Sequence, residues 1–313
     1  MILVMNKKHG VGCTTLAFNL GMLYNIPIYV KNDSFMLDKS KEKSPMLDRP
    51  HVDSFPSVSK ITPSKKDGIM DIGAEYSHIR FRKFIKSASV IVVPLDFGYE
   101  TILHTIDTLD YVRELNDSVP IVMVLNRLNK QDYKRDFNYK EYIFNRLDDA
   151  GYNFETENLQ FTYLRNSYGL SSNLDSGKYF LDNFIVEDRL EEFKNLNKEV
   201  KHSQYDLFLH LVYNALKDTD YTDTDVYDQE KDIVVFRTHF LAQKYSYSQL
   251  DFKRYINPSY VLKENKLLRD MAYISDCVYG HCYDICKESE FRKREEKYYN
   301  FSKENGKRDR AWF

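Results

Sequence analysis

The sequence has no long hydrophobic run. Its longest, Ala88 to Leu95, falls far short of the about 20 apolar residues that a membrane-spanning helix needs. An excess of either charge is missing too: 45 Lys and Arg against 47 Asp and Glu leave a net charge of −2. No overall pull toward nucleic acid or an acidic membrane follows, so any such contact has to come from a local patch. Cysteine is scarce, with Cys13 near the start and Cys277, Cys282 and Cys286 clustered late. That argues against a disulfide framework, and the thiols are expected to be reduced and free. The apolar Met1 to Met5 runs at once into Lys7, Lys8 and a glycine turn, so a signal peptide is not expected either. The resulting expectation is a soluble, cytoplasmic protein with membrane attachment disfavoured. No internal repeat is visible. What is present is a hydrophobic fraction of 42% over 313 residues, enough for a sizeable core. That length accommodates one large α/β domain with an extension, or two domains.

Along the chain, Ile2 to Met5 reads as a short buried strand. Thr14 to Tyr24 reads as a helix with Leu16, Leu20 and Leu23 on one face, and Ile26 to Val30 as a second strand. Residues 32 to 66, poor in hydrophobics and rich in Ser, Lys, Asp and Pro, read as a long loop. Gly68 to Ile72 is a third strand, followed by a basic helix in "YSHIRFRKFIKSA". The β-branched run "SVIVVPLD" suits a strand buried on both faces. A helix over Thr101 to Leu115, a strand in "VPIVMVLNR", a helix over Tyr139 to Ala150 and a last strand in "NLQFTYLR" complete the series, and Glu187 to Leu216 reads as mainly helical. Alternation of this kind predicts an α/β fold: a mostly parallel sheet with helices on both faces. The acidic "DTDYTDTDVYDQEKD" has no apolar period and reads as a linker. It divides a main domain over 1–217 from a largely helical C-terminal extension over 233–313 that ends in a charged tail, with the linker itself over 218–232.

One stretch carries chemistry. "MNKKHGVGCTTLAFNLG", Met5 to Gly21, runs from strand through small residues into helix. A phosphate loop needs that order, because backbone amides then converge on the anion and the helix dipole adds to the pull. Gly10 and Gly12 supply the permissive backbone. Thr14 stands where a hydroxyl would ligate Mg²⁺, and Thr15 is placed to cap the helix or touch an α-phosphate. Cys13 stands where such a loop carries its lysine. A thiol at a helix start, near lysines, is expected to have a lowered pKa.

"KHGVGCTT", Lys8 to Thr15, resembles K-G-G-V-G-K-T-T, the deviant Walker A loop of the ParA/MinD family of P-loop ATPases, at six of eight positions. Later stretches follow the same plan. "IYVKND" resembles the family's second strand, with Asp33 matching the second of its paired acids and Lys31 replacing the first. "GIMDIGAE" resembles its Walker A′ strand, with Asp71 at the aspartate. "SASVIVVPLDFGYETILHTIDTLDYV" resembles a later strand and helix. "VMVLNR" resembles the strand whose Asn, here Asn126, sits by the adenine. The resemblance spans residues 1 to 216. It implies the ParA-like P-loop NTPase fold, with ATP and Mg²⁺ as cofactors. Lys7, Gly10, Val11, Gly12, Cys13, Thr14, Thr15 and Asn126 would then surround the nucleotide. Thr14 and Asp71 would face the Mg²⁺, and Asp33 would orient water or a water in the outer sphere of the Mg²⁺. Lys8 would reach across to the partner's phosphates in a face-to-face homodimer. The resemblance further implies a role in moving or positioning cargo such as plasmids, chromosomes or division machinery, often on DNA or a membrane.

The departures matter. Losing the lysine at Cys13 removes a charge-assisted hydrogen bond worth about 1.5–3 kcal/mol, and transition-state stabilisation besides. His9 and Lys7 each replace a glycine. Either Lys7, Lys8 or Lys31 supplies the missing charge, or the loop has decayed and the fold persists as a scaffold. Elsewhere, Cys277, His281, Cys282 and Cys286 offer Zn²⁺ ligands. Their spacing matches no common knuckle, and part-buried thiols in a helical hairpin are the preferred reading. The basic "HIRFRKFIK" and the tail "FRKREEKYYNFSKENGKRDRAWF" are local positive patches suited to DNA phosphates; for the tail a solvated, frayed terminus is the preferred reading, with DNA contact next and an amphipathic membrane anchor below it. The expected function is a nucleotide-binding protein that dimerises or polymerises to position DNA or other cargo, with weak or no hydrolysis. The alternative is an inactive adaptor that binds DNA or a partner protein without turnover. Biosynthetic amidase or synthetase relatives would be expected to keep the loop lysine.

Overall fold

Successive side chains on a strand point to opposite faces, and here both sets are apolar. Ile2 and Val4 fall in one buried cluster with Val90, Val92, Val122 and Val124. Leu3 and Met5 fall in a second with Ile91, Val93, Ile121 and Met123. A sheet of this kind must be covered on both sides. The computed structural model describes residues 1–24, 26–30, 52–54, 68–74, 79–128, 139–152, 158–166, 180–189 and 255–264, and isolated positions at 170, 192 and between 267 and 278. Its elements run β1 (Ile2–Met5), α1 (Cys13–Tyr24), β2 (Ile28–Val30), β3 (Val52–Ser54), β4 (Ile69–Gly73), α2 (Arg82–Lys86), β5 (Val90–Leu95), α3 (Tyr99–Leu115), β6 (Ile121–Leu128), α4 (Tyr139–Asp149), β7 (Leu159–Arg165) and α5 (Pro258–Lys263). The strands form one seven-stranded sheet in the order β3-β2-β4-β1-β5-β6-β7, and all six ladders are parallel. The expected α/β architecture is the observed one.

Two expectations are corrected. Residues 32–66 are not loop throughout, because Val52–Ser54 adds an edge strand paired to β2 at Ile28↔Val52 and Val30↔Ser54. No apolar run announces it; the unpaired backbone of β2 defines it. The helix expected from Glu187 opens instead as a 3-10 turn, Glu187–Arg189, after another at Phe180–Phe184. Most of the remaining helix, the acidic 218–232 stretch, the charged tail, His281, Cys282, Cys286, Lys31 and Asp33 lie outside the described residues.

One face of the sheet is covered by α2, α3 and α4 through Phe84, Ile85, Ile102, Leu109, Val112, Ile143 and Leu147. The other is covered by α1 together with late parts of the chain: Phe180, Phe184 and Ile185, then Tyr255, Ile256, Leu267, Leu268, Met271, Ile274 and Val278. An antiparallel bridge joins Ile185 to Ile256. Polar ties fix the late segment on that face. The Tyr24 hydroxyl donates to the Ser275 carbonyl at 2.9 Å, and the Arg165 amide at the end of β7 donates to Asp270 Oδ2 at 2.8 Å. Asp270 is fully buried and the Arg165 guanidinium Nε stands 3.8 Å away, as a buried carboxylate requires.

The connections place a crevice. From β1 the chain crosses over β4 to β2; from β4 it crosses over β1 to β5. Crossovers therefore leave two adjacent strands in opposite directions, and in open α/β sheets the gap beyond the carboxyl ends of such strands is where ligands bind.

Candidate functional site

The chain leaves β1 into that crevice. Between Met5 and the first residue of α1 it turns through Gly10 and Gly12, both with positive φ, at 79° and 103°. Such backbone is strained for any residue with a Cβ. Gly12 is constrained further: a Cβ there would lie 2.2 Å from the Asn126 amide nitrogen. That nitrogen donates to the Val11 carbonyl at 2.8 Å, and the Asn126 carbonyl oxygen accepts from the Arg127 amide at 2.8 Å. Arg127 has a left-handed backbone at φ 61°. The end of β6 thus props the loop from beneath through Asn126.

The helix begins at Cys13, with Leu16 donating to the Gly12 carbonyl at 3.0 Å. Gly12 therefore occupies the cap position. Thr15 lies inside the first turn and does not cap; its carbonyl accepts from Asn19 Nδ2 at 2.8 Å. Thr14 Oγ1 donates to Asp71 Oδ2 at 2.6 Å. The two are 57 residues apart in sequence and meet because β1 and β4 are neighbours in register, Val4 beside Asp71. A hydroxyl and a carboxylate together are hard oxygen donors of the kind Mg²⁺ takes.

Cys13 departs from expectation. The thiol is buried, and its pKa is raised well above the ordinary value, first by desolvation and then by the nearby Asp71 carboxylate. The expected lowering by the helix start and lysines is overturned. Cys13 packs in the core with Val11, Leu16 and Val30 and brings no charge to the loop.

The two lysines of the loop turn toward α3. Lys7 Nζ pairs with Asp107 Oδ2 at 2.5 Å and Lys8 Nζ with Glu100 Oε2 at 2.6 Å. Beneath them, buried Asn6 donates to the Pro94 carbonyl at 2.8 Å and to Thr105 Oγ1 at 2.9 Å, and its Oδ1 accepts from the Lys8 amide at 2.8 Å. The Lys7 amide donates to Thr108 Oγ1 at 3.1 Å.

No protein-family model matches this chain, and no curated protein matches it. Similar solved structures, all at low identity, include the following three. Apo McdA of Cyanothece is 14% identical at a TM-score of 0.43, over 64% of this chain and 96% of that one. The MinD cell division protein of Aquifex aeolicus is 15% identical at 0.42, over 64% and 97%. A plasmid partition protein of Borrelia burgdorferi bound to AMPPNP is 14% identical at 0.37, over 64% and 98%.

Of the residues singled out by sequence, Gly10, Val11, Gly12, Cys13, Thr14, Thr15, Asp71 and Asn126 gather at the ends of β1, β4 and β6, while Lys7 and Lys8 lie against α3. Cys277 is part-buried against the α1 side of the core. Among the described residues no group of three or more His, Cys, Asp and Glu is placed to hold a metal. Asn6, Glu100, His104, Thr105, Asp107 and Thr108 were missed. Their signal was available: Glu100, His104 and Asp107 repeat at helical spacing along one face of α3, and Thr101, Thr105 and Thr108 along the next. Nothing in the sequence said that those faces meet the loop.

Proposed function

We propose that the chain binds ATP with Mg²⁺ in the crevice beyond β1 and β4. On binding it would assemble as a homodimer or filament that positions DNA or another cargo, with hydrolysis weak or absent. The observation that carries this reading is the contact of Thr14 with Asp71 beneath a loop of two positive-φ glycines. Thr14 and Asp71 would hold the Mg²⁺, whose charge would offset that of the phosphate oxygens. The loop from Gly10 to Thr15 would offer its amides and the start of α1 to the phosphates. In donor type, Thr14 and Asp71 suit the metal, and the loop residues would suit the phosphates. They are short of one cation at Cys13, which is why hydrolysis is read as weak. DNA contact is proposed for the exposed Arg82 and Lys86 of the basic α2, and the same surface suits an acidic partner protein.

A second reading, a nucleotide-independent adaptor, is favoured by one observation: Cys13 is buried and raised in pKa while Lys7 and Lys8 are paired with acids of α3. Light scattering of the full chain with and without ATP and Mg²⁺ separates the two. The ATPase reading expects a doubling of mass or larger assembly on addition of the nucleotide. Equal mass in both conditions supports the adaptor.

A further inference from the structure

With Cys13 at the start of α1, Lys7 and Lys8 are the lysines of the candidate phosphate loop, and both end on α3. The pairing is not a chance meeting of long side chains on a surface. The backbone of the same two residues is fixed to α3 through Asn6, Thr105 and Thr108, so each stem starts from a set position opposite its acid. His104 lies between the two acids, with Nε2 3.7 Å from Glu100 and Nδ1 3.9 Å from Asp107. The lysine hydrogen bond is also the main reason that the Glu100 carboxyl titrates below its ordinary range. Both pairs are nonetheless solvent-exposed. The side chains of Lys8 and Glu100 are 31% and 70% accessible, and those of Lys7 and Asp107 46% and 49%. Exposed pairs are weak, and a polyphosphate presents several negative charges where each acid presents one.

We propose that Glu100 and Asp107 are positioning residues that hold Lys8 and Lys7 against α3, and that an anion entering the loop must displace these acids to recruit the lysines in place of the charge missing at Cys13. The inference rests on the nucleotide reading above and adds what sets the affinity of that site. The acids act through the lysines, so their effect must vanish when the lysines are gone.

The test is a double-mutant cycle on the full chain, titrated with a fluorescent ATP analogue and Mg²⁺: wild type, Glu100→Gln, Lys8→Ala and the double variant. Glu100→Gln is expected to tighten binding about twofold to fivefold, the range that release from an exposed ion pair allows. In the Lys8→Ala background the same substitution is expected to change nothing. Asp107→Asn with Lys7→Ala gives an independent second cycle. An equal gain with and without Lys8 would mean that Glu100 acts through its general field and would overturn the proposal, as would no gain in the wild-type background. Wild type that fails to bind at millimolar analogue sinks the nucleotide reading itself, and this inference with it.

Discussion

The thiol of Cys13 is disfavoured as a thiolate twice over, by burial and by the Asp71 carboxylate beside it. The sign of the consequence is fixed. With the folded pKa above the unfolded one, the folded state keeps its proton while the unfolded chain loses it. Stability is therefore fully present below the ordinary thiol pKa of about 8.5 and falls as pH rises from there toward the folded value. Denaturant unfolding at pH 7 and pH ~10 of wild type and Cys13→Ala checks this: the variant is expected to lose less stability over that interval. Equal losses would show that Cys13 does not titrate differently on folding. Cys13 also shows where sequence reading reached its limit at this scale. Its position at the start of a helix was legible. The depth of its burial was not, because core partners such as Val30 come from other strands, as does the Asp71 charge beside it. Lys7 and Lys8 were legible as cations beside a candidate phosphate loop. Their direction was not, since it is set by acids about a hundred residues away on α3.

At the scale of elements, continuous apolar runs such as Val90–Leu95 and Ile121–Leu125 were plain in the sequence because both of their faces are buried. β3 was hidden because three residues paired to one neighbour leave no periodic signal. Residues 255–278 read as part of an extension beyond an acidic stretch, and their described positions join α1 in covering one face of the sheet, including fully buried Leu268, Met271 and Ile274. Only the finished sheet shows that α1 alone does not cover that face. The tie between Asp270 and Arg165 is the sharpest test of this packing. Asp270→Ala removes the carboxylate that accepts from the Arg165 amide and leaves the cation without it. It is expected to cost about 3–5 kcal/mol in unfolding free energy, the range for breaking a buried pair. A loss under about 1 kcal/mol, typical of an exposed pair, would mean that the late segment is not held on the sheet in this way.

At the scale of the molecule, the parallel sheet, the reversal of crossovers between β1 and β4 and the glycine loop all converge on one crevice. No helix among the described residues is long and apolar enough to cross a membrane, and the net charge is close to balanced. Under the proposed function, attraction to DNA or a partner would fall to local surfaces such as α2, and assembly would follow what the crevice binds. The central claim is that the crevice holds a nucleotide with Mg²⁺ despite the missing lysine. Fluorescence titration of the full chain and its Thr14→Val variant with an ATP analogue and Mg²⁺ tests it most directly. Saturable, Mg²⁺-dependent binding below millimolar concentration, weakened about tenfold or more by Thr14→Val, is the predicted result. No saturation at millimolar analogue, or identical binding by the two proteins, would contradict it.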